Sequence, residues 1–326
     1  MTGAGKPEVT VVLDPDWAAG GLVEDVRRGL SRHPRTLPPK WLYDDRGAAL
    51  FEEITRLPDY YPFEAERSIL VSHAADIAQA SGATTLVELG SGTSEKTRLL
   101  LDAFTADGQL TRFAPVDVAE QTLREAAHQI SQRYPGLEVA AVVGDFTLHL
   151  AHLPRGGRRM VAFLGGTIGN LYLEERRAFL GALADLLEPG DSVLLGTDLV
   201  KSVDRLLAAY DDDEGLTAAF IGNALLVLNR ELGADFDPEA FSYIPFWDAH
   251  MERMDMRLRS EVPQRVTLPG ADLVLDLAVG EEIRVEISTK FRVSRIAGEL
   301  EQAGLEVTRV WTDRAGDFAL TLATKP

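Results

Sequence analysis

The chain has 326 residues, 45% hydrophobic and 26% charged, an ordinary globular composition with apolar material for one large or two medium domains. It carries a formal charge of −18 and no cysteine. The charge disfavours nucleic acid and anionic membrane surfaces as partners, and the missing thiol excludes disulfides, thiolate zinc sites and a cysteine nucleophile.

In chain order, the start MTGAGKPEVT is polar and lacks a secretory-type apolar stretch. No run of about 18 apolar residues follows, so a cytoplasmic location is expected. Residues 13–60 read as mostly helical and irregular. From about residue 84, apolar runs alternate with amphipathic stretches: TTLVEL, a helix near 98–104, FAPVDV, a helix over 119–133, and LEVAAVVGDF. MVAFLGG, the helix-like LEERRAFLGALADLLEP and DSVLLGTDL continue the series. Short continuous apolar runs flanked by glycine or aspartate suit strands covered on both faces, so a parallel sheet is expected.

Between Leu199 and Phe291 the pattern changes. VDRLLAAY and LTAAFIGNALLVLNREL read as helices, while HMERMDMRLRS, ADLVLDLAV and EIRVEIS alternate as strands. GLEVTRVWTD and DFALTLATK, joined by a short RAG turn, predict an antiparallel hairpin that closes the sheet. The expected fold is α/β, a Rossmann-like sheet with a C-terminal β-hairpin plus a second α+β domain. The first domain is expected to take residues 62–200 and 290–326, and the second 13–61 and 201–289.

The first strand of the series ends in Val87-Glu88-Leu89-Gly90-Ser91-Gly92, whose glycines permit a tight turn and close approach of a ligand. A nicotinamide-type fingerprint would need a third small residue where Glu95 stands, and no GxxxxGK[ST] loop surrounds Lys96. Glu88 suits a ligand carrying a sulfonium better than one carrying a pyrophosphate. Asp117 ends the second strand, where a carboxylate can accept from both ribose hydroxyls. Gly144-Asp145-Phe146 ends the third, offering an acceptor for an adenine amine and a ring to pack on adenine. These segments resemble the motifs of class I S-adenosylmethionine-dependent methyltransferases. The resemblance implies a donor site that includes Gly90, Ser91, Gly92, Lys96, Asp117, Asp145 and Phe146.

YDDRGAALFEEITRLPDYYPFEAE, FLGGTIGN and EIRVEISTKF narrow the likeness. Together they resemble the histidine Nα-methyltransferases of ergothioneine biosynthesis, over almost the whole chain. That family binds histidine between a methyltransferase core and a separate substrate domain. Carried over, Tyr60, Asn170 and Tyr210 would hold the amino acid's amine and carboxylate, with Tyr43 assisting and Tyr60 and Asn170 nearest the chemistry. Tyrosine hydroxyls and an asparagine amide have the donors and acceptors for this. Glu286 and Ser288 stand two apart in a β-like run, so both should share one face and reach the imidazole, with Met256 as an apolar wall.

Each residue also has a structural reading: tyrosines near Pro58 and Pro62 pack loops, and GGTIGN reads as a helix entry capped by Asn170. His149 and His152 are three apart without a third ligand, so they read as surface residues and no metal is expected. The implied activity is S-adenosylmethionine-dependent Nα-trimethylation of L-histidine to hercynine by a monomer. Tyr60, a nearby carboxylate or water could receive the amine's protons. Other readings are methylation of another free amino acid or amine, a non-catalytic S-adenosylmethionine-binding protein, and a nicotinamide oxidoreductase.

Overall fold

A computed structural model of the chain describes residues 6–14, 17–106 and 108–326; the first five residues of the polar start lie outside these. The chain divides into two compact units. One comprises Met1–Leu13, Pro62–Leu199 and Phe291–Pro326, and the other Asp14–Tyr61 and Val200–Lys290.

The described chain opens with β1 (Glu8–Val11), which pairs in parallel with a later strand of the same unit. Sequence reasoning missed it, because four largely exposed edge residues carry almost no burial pattern. Then come α1 (Trp17–Leu30), the two-residue β2 (Arg35–Thr36), α2 (Asp45–Ile54) and the long α3 (Tyr61–Ser81). The expected alternation follows: β3 (Thr85–Leu89), α4 (Thr97–Ala106), β4 (Arg112–Asp117), α5 (Glu120–Arg133) and β5 (Glu138–Val143). It runs on through β6 (Arg159–Phe163), α6 (Leu173–Leu186) and β7 (Ser192–Asp198). The second unit resumes with α7 (Val203–Tyr210), α8 (Leu216–Leu232), β8 (Phe241–Asp248) and β9 (Arg253–Ser260). It continues as β10 (Gln264–Leu268), β11 (Leu273–Leu277) and β12 (Glu282–Thr289). Last come α9 (Val293–Gln302) and the predicted hairpin, β13 (Glu306–Thr312) and β14 (Phe318–Thr324).

In the first unit the sheet order is β1-β5-β4-β3-β6-β7-β14-β13, parallel except at the hairpin. Side chains alternate between its faces: Leu86, Phe113 and Met160 pack with α3, α4 and α5, whereas Val87, Ala114 and Val161 pack with α6 and α9. Period-2 alternation with both faces covered is why these strands read as continuous apolar runs. From β3 the chain winds outward through β4 and β5, then returns to the other side of β3 with β6 and β7. That reversal falls between β3 and β6, and doubly wound sheets bind ligands beyond the carboxyl ends of strands at such a point.

The second unit has a four-stranded sheet in the order β2-β12-β9-β8 and a β10-β11 hairpin. Its YDDRG segment is built around a helix cap. Asp44 accepts from Gly47 N at 2.9 Å as the N-cap of α2, and Asn223 and Arg230 donate to the same carboxylate at 2.7 and 2.8 Å. These donors outweigh desolvation and hold Asp44 below the usual carboxylate range. Gly47 is obligatory, since a Cβ there would collide with the Leu42 carbonyl.

One charged pair fastens α6 to α9: Arg176 donates to Glu299 at 2.5 and 2.9 Å, and also to the Leu171 carbonyl at 3.1 Å. Both side chains are buried, so cutting Glu299 back strands a guanidinium. Glu299→Ala should therefore lower stability by roughly 3–5 kcal/mol, read as a shift of the urea midpoint. A midpoint unchanged from wild type would mean the pair contributes nothing.

Candidate active site

The turn after β3 is fastened to the end of β4. Gly90 N and Ser91 N donate to the Val116 carbonyl at 2.9 and 3.1 Å, and Gly92 N donates to Asp117 Oδ2 at 2.8 Å. Asp117 Oδ1 accepts from Ala119 N at 2.9 Å. Burial raises the Asp117 carboxyl above its ordinary value, and these amides only partly offset it. Gly90 and Gly92 have φ of 66° and 48°, and a Cβ on Gly92 would meet open space. A phosphate-binding turn presents free amides, whereas the three here are already used. These three amides are therefore not offered to a pyrophosphate.

Behind the turn lie buried carboxylates. Glu88 accepts from Ser94 Oγ at 3.1 Å and from Thr97 Oγ1, and burial pushes it up to about 8. Glu66, on α3, is fully buried and accepts from Gly165 N at 2.8 and 2.9 Å and from the Lys96 ammonium. Gly196 makes room for Glu66, whose oxygen would clash with any Cβ there. Lys96, expected on the donor, thus has its ammonium on Glu66, with the Phe63 ring 4.9 Å away. Ser91 Oγ is buried without a hydrogen-bond partner among the described residues, as an atom reserved for a ligand would be.

At the third strand end, buried Asp145 accepts from Thr147 N and Oγ1 at 2.8 and 2.6 Å. Phe146 stacks edge-on against Phe163 and Phe179, and a Cβ on Gly90 would lie 3.7 Å from its ring. His149 is half-buried rather than a plain surface residue, because its Nδ1 sits 3.1 Å from the backbone N and O of Asp145; His152 is exposed. Among the described residues no group of three or more His, Cys, Asp or Glu is placed to hold a metal.

Half-buried Asn170 closes a 3-10 turn, Thr167–Asn170, entered through left-handed Gly166 at the end of β6. It does not cap α6. The cap is Tyr172, whose N–H donates to Glu175 at 2.9 Å. The helix therefore starts two residues later than the capping reading requires.

In the second unit, the predicted aromatic residues meet. Tyr43 packs on Phe51 and Phe220 with centroids 5.5 and 5.3 Å apart. Phe51 reaches Tyr60 at 6.1 Å, and Tyr60 meets Tyr210 edge-on at 6.2 Å. The hydroxyl of adjacent Tyr61 accepts from Lys201 at 2.6 Å. Tyr210 O–H then donates to Ser288 Oγ at 2.9 Å. Glu286 pairs across the strands with Met256, and Ser288 with Met254; the bulge in β12 lies before Glu286, so Glu286 and Ser288 keep one face. Met256 is buried and Glu286 half-buried.

Sequence reasoning missed Glu66, Phe51, Phe220, Tyr243 and Lys290. Tyr243 donates to the Tyr210 carbonyl at 2.7 Å, and burial together with the Glu286 charge pushes its phenol well above the ordinary value. Lys290 had a visible signal, for Glu286, Ser288 and Lys290 form a period-2 polar stripe in EISTK.

A family model described as "Histidine-specific methyltransferase, SAM-dependent" matches residues 22–325. The chain is 54% identical to Histidine N-alpha-methyltransferase of Mycolicibacterium smegmatis, across 96% of this chain and 98% of that protein. A protein of the same name from Mycobacterium tuberculosis is 53% identical with the same coverage. Ergothioneine biosynthesis protein 1 of Schizosaccharomyces pombe is 28% identical across 93% of this chain and 40% of that longer protein.

Glu88 gives a pH test. Its ordinary value is 4.5 and its folded value about 8, so between them the folded chain holds a proton that the unfolded chain has lost. Its contribution therefore makes stability fall as pH rises through that window, and adds no slope above it. Glu88→Gln removes this component, so its urea midpoint should gain on wild type from about pH 5 to about pH 8. A difference that stays flat with pH would refute a protonated, buried Glu88.

Proposed function

Because the chain belongs to the family of histidine-specific, S-adenosylmethionine-dependent methyltransferases, we propose that it methylates the α-nitrogen of L-histidine three times to give hercynine, a step of ergothioneine biosynthesis. The observation that carries this reading is the β3 turn: the Gly90, Ser91 and Gly92 amides are used internally, so a phosphate finds no free donor among them. S-adenosylmethionine, when bound, supplies a methyl already activated by positive sulfur. The chain's task is then mainly alignment and exclusion of water, while at each transfer one proton leaves the amine for Tyr60, a nearby carboxylate or water.

On the donor side, Asp117 accepts from the ribose hydroxyls, held rigid by Gly92 N and Ala119 N. Ser91 Oγ, Gly90 and Gly92 line the methionine end, Lys96 keeps Glu66 in place, and Asp145 with Phe146 receives adenine. On the acceptor side, Tyr60, Tyr210, Tyr43 and Asn170 orient the amine and carboxylate. Glu286 and Ser288 bind the imidazole, and Met256 forms its apolar wall. Tyr60 and Asn170 are the groups proposed to touch the reacting amine.

No metal enters this proposal, since the sulfonium needs no Lewis acid. Absence of cysteine suits a reducing cytoplasm, and no described helix is long and apolar enough to cross a membrane. A monomer suffices, because all the proposed donor and acceptor groups come from one chain.

Purified protein with S-adenosylmethionine should convert L-histidine into mono-, di- and trimethylated products by mass spectrometry. Absence of any methylated histidine would sink the proposal. In a screen of free amino acids, Glu286→Ala should lose about tenfold or more of its preference for histidine, as expected for a hydrogen bond to a charged group. An unchanged preference would remove Glu286 from the imidazole site.

A further inference from the structure

Lys290 follows β12 and is fully buried. Its ammonium nitrogen lies 2.7 Å from the Tyr210 hydroxyl, 2.8 Å from Ser288 Oγ and 4.6 Å from the Tyr210 ring centroid. The Tyr210–Ser288 hydrogen bond closes a triangle of three polar groups. An ammonium has donors and no acceptor, so both of its contacts are donations. A phenol is more acidic than an aliphatic alcohol, so the shared proton runs from Tyr210 to Ser288. Ser288 Oγ thus accepts twice, which fills both lone pairs. Its own proton can only be donated.

The neighbour on the same face, Glu286, is an acceptor when ionised. One donor and one acceptor two residues apart complement a neutral imidazole, which has one N–H and one bare nitrogen. An imidazolium, with two N–H groups, would oppose Ser288.

We propose that Lys290 is a positioning residue that fixes Ser288 as a hydrogen-bond donor, so that Ser288 and Glu286 together select the neutral imidazole of histidine. This rests on the reading above that these two residues bind the substrate ring. Lys290 acts through Ser288 and Tyr210 and needs no contact with substrate.

The test compares calorimetric affinities for L-histidine and β-(2-thienyl)-L-alanine, a five-membered ring of similar shape without ring nitrogens. Wild type, Lys290→Met, Ser288→Ala and the double variant are measured. Each single variant should lose about tenfold of the preference for histidine, and the double variant should lose no more than either. Equal weakening of both ligands in Lys290→Met, or additive losses in the double variant, overturns the proposal. An unchanged preference in Ser288→Ala overturns instead the reading that Ser288 touches the ring, and the proposal with it. Should Lys290→Met fail to fold, ring-labelled 15N-histidine bound to wild type decides. One protonated and one bare ring nitrogen supports the proposal, and two protonated nitrogens overturns it.

Discussion

The first unit depends on how the amides after β3 are used. A glycine turn at the carboxyl end of a first parallel strand can serve a phosphate or something else, and free N–H groups decide which. Here Gly90 and Ser91 are bonded to Val116, and Gly92 to Asp117, so the turn is stitched to β4 before any ligand arrives. Behind it Glu66 is paired with Lys96 and burial holds Glu88 protonated, so these buried carboxylates brace the turn rather than charge it. The same hydrogen bonds therefore shape the turn and withhold these three amides from a phosphate.

Glu66 links several of these features. A carboxylate with no exposure must be satisfied on all sides. The Gly165 amide and the Lys96 ammonium do this, and Gly196 leaves the space. It thereby ties α3 to the turns after β3 and β6, at the reversal of the sheet. The Arg176–Glu299 pair has a comparable place on the other face, and its bond to the Leu171 carbonyl holds the residue next to Asn170.

The second unit holds most of the residues proposed to recognise the substrate, ranging from exposed Tyr43 through half-buried Tyr60 to buried Tyr210. Tyr43 packs on Phe220 and Tyr60 on Tyr210, and it is the hydroxyls of these rings that the proposal uses. Their backbone support is also polar: Asp44 caps α2 beside Tyr43, with Asn223 and Arg230 of α8 closing the cap. Lys290 then gives the Tyr210–Ser288 contact a direction. A buried hydroxyl without such a partner could serve as donor or acceptor, and would discriminate poorly between ring protonation states.

The sequence by itself determined the strand–helix alternation from Thr85 to Asp198, the closing hairpin and the carboxylates at the strand ends. Those features are local: burial on both faces writes apolar runs, and tight turns demand glycine. It also placed Glu286 and Ser288 on one face, because strand periodicity is local too. Only the tertiary structure decided which amides are used, that Lys96 serves Glu66, and that α6 is capped at Tyr172 rather than Asn170. It likewise brought Lys290 to Tyr210, 80 positions away in the chain. The physical reason is common to these cases: a hydrogen bond is made by whichever donor and acceptor the packing brings within about 3 Å, and residue type states only the capacity to make it.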